Sequence, residues 1–507
     1  MFPFLAFGFA ETHYRFHLPW SPLHEPWPEM LVDAPWCVEP GQTLPVWLVV
    51  RDADLFPVHV HGVEFRVEAL GHVGEEQSAE LEFVCDQPFH FLPLPLDLSG
   101  WTGPVQIYAR IHASRVGERV PRRRASRDFE QWNYPGLRPH PLQVLILQKP
   151  LPKPAGWWAG ETHCHTWHSS DPVEFGAPPL VLQQAAAAQG LDFLCCTDHS
   201  YDFAFRNDDY RIPADPLIRW QAFQTECAAL EPYPLVIPGE EVSCGNAQGE
   251  NVHLLVPGGS DFLPGLGDSG RQWFRNHPTL SLTEILERRG GAPCFAAHPL
   301  HPMSWIERKV FRRGVYGWAD LHPLLAGLEF WNGSRDRGFR RGRAFWIRQL
   351  LAGRHLLPVG GNDAHGDLNR CTSVRIPLVM LRSSLAHRFG RVRTVVRGEG
   401  PLETQNLLHS FRRAQDDAAL YCGDGPALTL KCEGNRFRLH AISSPDLGEF
   451  VEIRIFRGIF GQSREQVQSI SPGTLEWDAS LQGDGNYLRA ECRTRNGHSA
   501  ISAAFFH

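Results

Sequence analysis

Hydrophobic positions in the first part of the chain fall into short stretches of valine, isoleucine and aromatic residues. The clearest of these stretches lie at residues 44–51, 56–68 and 104–114. Short stretches of this composition, bounded by turn-forming residues, are typical of β-strands. We therefore predict that residues 1–150 form an N-terminal β-sandwich-like domain.

From about residue 157 the pattern changes to strand-like apolar stretches that alternate with helical ones. The strand-like stretches end, in chain order, near His163, Thr197, Glu241, Val256, Ala297, Trp331 and Asn362. Helix signals lie between several of them, including a capping box formed by Ser281 and Glu284. This alternation predicts an α/β fold, and we predict a seven-stranded (β/α)7 barrel over residues 155–420. Strand-like stretches then resume and predict a small C-terminal β domain at 425–507.

Nearly every predicted strand of the middle region ends in an imidazole or a carboxylate. His163 and His165 are one residue apart, so alternation along a strand places both on the same face, and Asp363 and His365 repeat the spacing. The other candidate ligands, in chain order, are Asp171, His199, Glu241, His253 and His298. Strand ends meet at one face of a barrel, which predicts that these side chains converge on metal ions. Imidazole and carboxylate ligands without thiolate suit Zn, Mn or Fe.

Composition restricts the kinds of molecule that the protein is expected to bind and the compartment in which it is expected to lie. The formal net charge of -7 at pH 7 gives no case for nucleic-acid binding. The 12 cysteines include no C-x-x-C pair, so neither a disulfide framework nor a zinc ribbon is indicated. No apolar run of about 18 residues occurs, so no membrane span is expected. The apolar first ten residues lack the basic segment of a secretory signal, and we expect a cytoplasmic protein.

The motifs, in this order, resemble those of the polymerase and histidinol phosphatase (PHP) superfamily of metal-dependent hydrolases. The resemblance spans residues 157–383 and rests on H-x-H, T-D-H, G-x-E, a later strand histidine, A-H-P and D-x-H. It implies a seven-stranded barrel with two or three divalent metal ions. The implied ligand sets are His163, His165, Glu241 and Asp363 for one ion, Glu241, His253 and His298 for a second, and Asp171, His199 and His365 for a third. The segment G-P-A-L-T-L and the β region after it look like the carbamate-hydrolase-like branch of the superfamily.

The expected function is that of an enzyme, a metal-dependent hydrolase that activates water at a multinuclear His/Asp/Glu site. A phosphoesterase acting on a small phosphorylated molecule is favoured by the usual chemistry of the family and by the arginines of a predicted helix at 334–351. Two alternatives stay open. One is an ester, amide or carbamate hydrolase, and the other is a non-catalytic PHP scaffold or binding protein.

Two residues outside the ligand set are candidate catalytic residues. His168 could protonate a leaving group, although an exposed loop histidine is the commoner case. Arg370 follows the D-x-H motif and could bind an anionic substrate, or it could lie on the surface. Asp198, beside His199, either orients a metal ligand or caps the turn that follows.

A second H-x-H pair, His59 and His61, occurs in the N-terminal β region. A strand places both rings on one face. No nearby cluster of Cys, Asp or Glu completes a ligand set, so an ordinary strand is the favoured interpretation and a metal site is the alternative.

Overall fold

The computed structural model describes most of the chain. The described residues are 27–69, 71–117, 126–133, 137–169, 176–207, 212–269, 276–366, 368–369, 372–376, 379–382, 387–433, 436–470, 476–480 and 486–507. They fall into two compact units. The first unit contains the described residues up to Gln148 and those between Asp367 and Arg388, and the second contains the remainder.

Strands are the commonest elements. In chain order they are β1 Glu29–Asp33, β2 Cys37–Val38, β3 Val46–Arg51, β4 Val58–Ala69, β5 His72–Val73, β6 Gln77–Cys85, β7 Phe89–Leu94, β8 Gly103–Arg115, β9 Ser126–Glu130, β10 Leu137–Pro139, β11 Leu142–Ile146, β12 Trp157–His165, β13 Phe193–His199, β14 Leu235–Gly245, β15 Asn251–Pro257, β16 Phe295–Ala297, β17 Gly327–Asn332, β18 Leu357–Gly361, β19 Ala364–His365, β20 Thr372–Ile376, β21 Val379–Arg382, β22 Arg393–Arg397, β23 Leu420–Gly423, β24 Ala427–Glu433, β25 Arg436–Ile442, β26 Phe450–Gly458, β27 Gln466–Ile470, β28 Glu476–Ser480, β29 Tyr487–Thr494, β30 Ser499–Ser502 and β31 Phe505–Phe506.

The described α-helices all belong to the second unit. They are α1 Pro179–Ala188, α2 Pro216–Ala228, α3 Leu282–Arg288, α4 Trp305–Lys309, α5 Arg337–Leu351 and α6 Thr404–Asp417. Short 3-10 segments occupy Ser200–Ala204 and Trp318–Asp320. None of the described helices is both long and apolar enough to cross a membrane.

The described residues of the first unit form three sheets. One has the order β1-β3-β7, another β10-β20-β21, and the largest has the order β2-β11-β8-β4-β5, with β6 paired to β4 and β9 paired to β8. The stretches predicted as strands at 44–51, 56–68 and 104–114 appear as β3, β4 and β8. Along β4, buried residues such as Val58 and Val60 alternate with more exposed ones, as expected for a strand with one face on a core.

The prediction of a (β/α)7 barrel is wrong. In the described residues of the second unit the seven predicted strands, β12 to β18, belong to a larger mixed sheet of 15 strands. Its order is β18-β17-β16-β15-β14-β13-β12-β22-β23-β30-β29-β26-β27, with β19 paired to β12 and β31 to β29. The α/β barrel with separate flanking β domains is therefore replaced by a mostly β architecture whose main sheet runs on into the C-terminal strands.

Two local features explain this difference. Strand β15 runs antiparallel to both of its neighbours, β14 and β16, so the all-parallel pattern of a barrel is broken. Strand β12 pairs antiparallel with β22 over residues 157–160, and through β22 the sheet continues to β23. An antiparallel pair needs only a short connection, whereas a parallel pair needs a crossover of a dozen residues or more.

Helix boundaries follow the local signals. Helix α3 begins with the predicted capping box, in which Ser281 Oγ accepts from Glu284 N and the Glu284 carboxylate accepts from Ser281 N. Helix α2 is capped by Asp215, whose side chain accepts a hydrogen bond from Leu217 N. Helix α5 buries Phe345 and Trp346 in the main core of the second unit.

A charged network lies within the C-terminal strands. Arg489 is fully buried, and its guanidinium donates to both oxygens of Glu465 at 2.7 and 2.6 Å. It also donates to Glu491, which in turn accepts from Arg343 on α5 at 2.8 Å. The guanidinium packs over the ring of Phe456 at 4.0 Å. The network therefore provides a partner for each of these charges, which is the condition under which burial of charge is tolerated.

Candidate metal centre

Strand ends of the second unit bring eight of the nine predicted ligands together. They are His163 and His165 on β12, His199 at the end of β13, Glu241 on β14, His253 on β15, His298 directly after β16, Asp363 after β18 and His365 on β19. Pairing aligns several of them: His199 is opposite Glu241, and His165 is opposite His365. Asp171, the ninth predicted ligand, lies outside the described residues.

One group of potential ligands has four members, which are His163, His165, Glu241 and Asp363. The two Nε2 atoms of His163 and His165 are 3.3 Å apart. Glu241 Oε2 lies 3.3 and 3.4 Å from them, and Asp363 Oδ1 lies 3.4 and 3.1 Å from them. An ion with four ligand atoms at about 2.0–2.1 Å has tetrahedral edges of about 3.3–3.4 Å. The spacing of these four atoms therefore fits a tetrahedral divalent cation.

Glu241 divides its two carboxylate oxygens between separate sets of imidazoles. Oε2 faces His163 and His165, and it also lies 3.0 Å from His199 Nδ1. Oε1 lies 2.6 Å from His253 Nδ1 and 3.0 Å from His298 Nε2. Oε2 is buried and makes no well-oriented hydrogen bond to a described residue, although ring nitrogens surround it. A carboxylate placed in this way can bridge two cations.

A third group is formed by histidines alone. His165, His199 and His365 present nitrogen atoms that lie close together, with 3.3 Å between the Nε2 atoms of His199 and His365. The rings of His165 and His365 stack at 3.9 Å. Three imidazoles form a ligand set that suits zinc and other late first-row metals. The described residues can thus hold metal ions in overlapping groups.

Residues outside the predicted ligand set hold the candidate ligands in place. Asp268 Oδ2 lies 2.9 Å from His253 Nε2, on the side of the ring away from Glu241. Ser169 Oγ lies 3.3 Å from His165 Nδ1, and Asn332 Nδ2 donates to Asp363 Oδ2 at 3.1 Å. Such partners fix the ring orientation and basicity of metal-binding histidines.

Glu329 is a further supporting residue at the centre. Its fully buried carboxylate lies 3.6 Å from His163 Nδ1 and accepts from the backbone N of His298 at 2.8 Å. Glu329 and Asn332 lie on strand β17, whereas Asp268 and Ser169 lie in loops and carry no motif. Their roles depend on contacts that only the folded chain creates.

The backbone is strained at two of the candidate ligands. His298 has φ +29° and Asp363 has φ +51°, in the left-handed region that side chains other than glycine seldom occupy. Gly361 packs closely against strand β12, and a Cβ placed on this glycine would lie 2.7 Å from His163 Cβ. Strain that persists at convergent polar side chains is a feature of functional sites.

The charges of the centre are strongly coupled. Burial alone would raise the pKa of Glu241, but the neighbouring His253, His163 and His199 hold that pKa well below its usual value. Burial, together with His365 and His199, holds the pKa of His165 well below its usual value. Glu241 is therefore ionised and His165 neutral, which are the forms that bind metal. By contrast, Glu241 and Asp268 outweigh the effect of burial and raise the pKa of His253 to about 10, so a cation there must displace a proton.

Of the two candidate catalytic residues, His168 is among the described residues. His168 is buried, with Nε2 at 2.8 Å from Glu226 Oε2 and Nδ1 at 3.3 Å from the guanidinium of Arg219, so both ring nitrogens contact helix α2. Arg370 lies outside the described residues. Asp198 accepts hydrogen bonds from the backbone N atoms of Thr166 and Ser169, so it caps the turn that follows β12.

Buried thiols adjoin the centre but offer no ligand to it. Cys164, Cys195 and Cys196 are fully buried strand residues. Burial raises the pKa of Cys164 to about 11, so this thiol stays protonated at neutral pH. Protonated thiols are poor metal ligands.

Comparison with models of known protein families gives no match, and comparison with curated proteins finds no similar sequence.

Proposed function

We propose that this chain is a metal-dependent hydrolase of the PHP superfamily that binds two or three divalent ions (Zn, Mn or Fe) and hydrolyses a phosphate ester of a small molecule. The observation that carries the proposal is the position of Glu241. Its two oxygens face different sets of histidines, at 2.6–3.4 Å, within one buried centre. A bridging carboxylate with imidazoles on both sides is the arrangement used in two-metal hydrolytic sites.

The residues fit such ions. His163, His165, Glu241 and Asp363 would hold one. Glu241 would hold another with His253 and His298, which both contact its Oε1. When bound, the ions would lower the pKa of a shared water and polarise the oxygen of the bond to be broken. The protein supplies the positions: Asn332 turns one oxygen of Asp363 away from the histidines, and Asp268 turns His253 Nδ1 toward Glu241.

Access to the centre is one-sided. The side chains of His163, His165 and Glu241 are at most 1% exposed, whereas those of Asp363 and His298 are 21% and 19% exposed. A small substrate would therefore approach from the side of Asp363 and His298. An active site must exclude bulk water and still admit a substrate. Ligands that are buried on one side of the centre and partly exposed on the other meet both requirements.

An anionic substrate is favoured by a guanidinium close to the centre. Arg313 Nε lies 2.5 Å from Asp268 Oδ2, so one carboxylate separates it from His253. The arginine side chain is 33% exposed, and its Nη1 lies 4.0 Å from Glu307 Oε1. Phosphate oxygens are natural partners for a guanidinium. The arginines of α5 support the proposal less, because Arg343 is engaged by Glu491.

The test is hydrolysis of nitrophenyl phosphate, bis-nitrophenyl phosphate and nitrophenyl acetate by the full chain after loading with Mn²⁺ or Zn²⁺. His163→Ala should abolish turnover because it removes a ligand from the group of four. His409→Ala is the matched control, because His409 lies on α6 with a side chain that is 53% exposed. Turnover of the phosphate esters that disappears only in His163→Ala supports the proposal.

Other outcomes change the assignment. Turnover of the carboxylic ester alone would favour an ester, amide or carbamate hydrolase. Silence on all three substrates with metal bound would favour a binding protein. Phosphate-ester turnover that survives His163→Ala would mean that the centre is not the site of hydrolysis.

A further inference from the structure

A second group of histidine and carboxylate side chains lies in the first unit, on the largest sheet. His59 and His61 on β4 face Glu82 on the neighbouring strand β6. His59 Nε2 lies 3.0 Å from Glu82 Oε2, and His61 Nδ1 lies 3.4 Å from Glu82 Oε1. The three side chains are 32%, 38% and 65% exposed, so solvent reaches them directly.

A β-bulge creates this arrangement. The pairing of β4 with β6 shifts register between Val60 and Gly62, and the pairing of β4 with β8 shifts at the same place. On β6, Glu82 has φ +42°, an unusual conformation for a residue other than glycine. A bulge re-aims the side chains beside it, and here it directs one carboxylate at two imidazoles.

Strand β8, which also pairs with β4, fixes the orientation of His61. Ser114 Oγ on β8 lies 2.9 Å from His61 Nε2. When Nε2–H donates to this hydroxyl, Nδ1 carries its lone pair toward Glu82. A hydrogen-bond partner on the ring nitrogen that does not bind the metal is the usual support of a metal-binding histidine.

We propose that His59, His61 and Glu82 form a surface site for a divalent first-row transition metal ion, with Zn²⁺ the best match. Two imidazoles and one carboxylate are a common zinc ligand set, and three protein ligands leave a position for water or a further ligand. The donor atoms of the three residues lie close enough to share one ion. The site uses none of the residues of the buried centre, so either proposal can fail without the other.

A neighbouring histidine shows what distinguishes this group. His112 on β8 also contacts two carboxylates, with Nε2 at 3.3 Å from Glu64 and Nδ1 at 2.9 Å from Asp128. Opposite ring nitrogens point to different carboxylates, so these contacts diverge from the ring instead of meeting at one point. His112 is therefore an ion-pairing residue and the natural control for the proposed site.

The test is titration of the full chain with Zn²⁺ in competition with a chromogenic chelator. His59→Ala and His61→Ala should each lose one bound equivalent relative to the unmodified chain, while His112→Ala should lose none. Glu82→Gln, which keeps the size of the side chain, should weaken that equivalent at least tenfold. Unchanged far-UV circular dichroism would establish that the exposed substitutions leave the fold intact.

The buried centre is separated from this site by combining variants. His163→Ala should lose zinc from the buried centre only, and adding His61→Ala to it should remove one further equivalent, because independent sites give additive losses. The proposal is overturned if His59→Ala and His61→Ala bind as much zinc as the unmodified chain. It is also overturned if the loss caused by His61→Ala vanishes in the His163→Ala background.

Discussion

Asp268 provides the sharpest test of how the buried centre is organised. Its side chain is fully buried, and the carboxylate lies 2.9 Å from His253 Nε2, 2.5 Å from Arg313 Nε and 2.5 Å from Ser243 Oγ. His253 and Arg313 outweigh the effect of burial and hold the pKa of Asp268 well below its usual value, so it is ionised. The substitution Asp268→Asn keeps the volume of the side chain but removes this charge.

The expected effect is on metal affinity at the ligand set of Glu241, His253 and His298. Loss of a carboxylate behind a metal-binding histidine typically weakens binding by about 10–100-fold. That range corresponds to about 1.4–2.7 kcal/mol of binding free energy. The cause is twofold: the imidazole loses the partner that raises its basicity, and it loses the contact that holds Nδ1 toward Glu241.

Competitive titration with Zn²⁺ and with Mn²⁺ measures the effect on the full chain. Asp268→Asn should bind one ion 10–100-fold more weakly, as expected for a partner of a single metal-binding histidine. The matched control is Asp261→Asn in the same loop, because Asp261 is exposed and accepts from Ser260 Oγ at 3.1 Å. A folded Asp268→Asn protein with unchanged affinity for every ion would refute the role assigned to this carboxylate.

Three further predictions concern stability. Removal of metal by a chelator should lower the midpoint of thermal unfolding, and Zn²⁺ should restore it. The reason is that a ligand that binds only the folded state stabilises that state, by about 2.7 kcal/mol at a hundred times its Kd. An unchanged midpoint in differential scanning calorimetry would contradict this prediction. Arg489→Met should cost about 3–5 kcal/mol in urea unfolding, because it leaves the buried carboxylate of Glu465 without its cationic partner, whereas Arg495→Met, at a pair with 72% and 83% exposed side chains, should change little. Arg489 and Arg343 outweigh the effect of burial and lower the pKa of Glu491, so its ionised form contributes stability that is present above its ordinary pKa of about 4.3 and is lost as pH falls through the folded value. The stability gap between the unmodified chain and Glu491→Gln should therefore shrink on acidification from pH 7 to below that range, and a gap that does not change with pH would exclude this coupling.

Much of the candidate site follows from local sequence pattern. Alternation along one strand places His163 and His165 on the same side, and the folded chain has their Nε2 atoms 3.3 Å apart. The capping box at Ser281 is equally local and begins α3 as predicted. The supporting carboxylate of Asp268 could not be found in this way, because its loop position has no pattern that links it to His253.

The error in the fold has an identifiable source. Strand β15 is buried throughout, so its apolar sequence looks the same whether it pairs parallel or antiparallel. The connection from β14 to β15 spans only residues 246–250, which is too short for a crossover, and this length indicates an antiparallel pair. The length of this loop, more than the composition of the strands, therefore distinguishes the antiparallel pair from a barrel crossover.

Glu82 illustrates what the sequence leaves undecided in the first unit. The strand pattern places His59 and His61 on one face, but the carboxylate that completes the group comes from another strand and is aimed by a bulge. Pairing register depends on contacts along the whole sheet and on the twist of each strand, not on any single stretch.

Local sequence specifies which side chains are available for chemistry and on which face of a strand neighbouring ones lie. Strand alternation and helix capping depend on a few adjacent residues, so they can be recognised in a linear chain. The order and direction of the strands, the sharing of Glu241 between two imidazole sets, and the residues that orient each ligand depend on the folded chain. These features arise from contacts between segments distant in sequence, where the free energy of packing selects among pairings that local preferences leave equivalent.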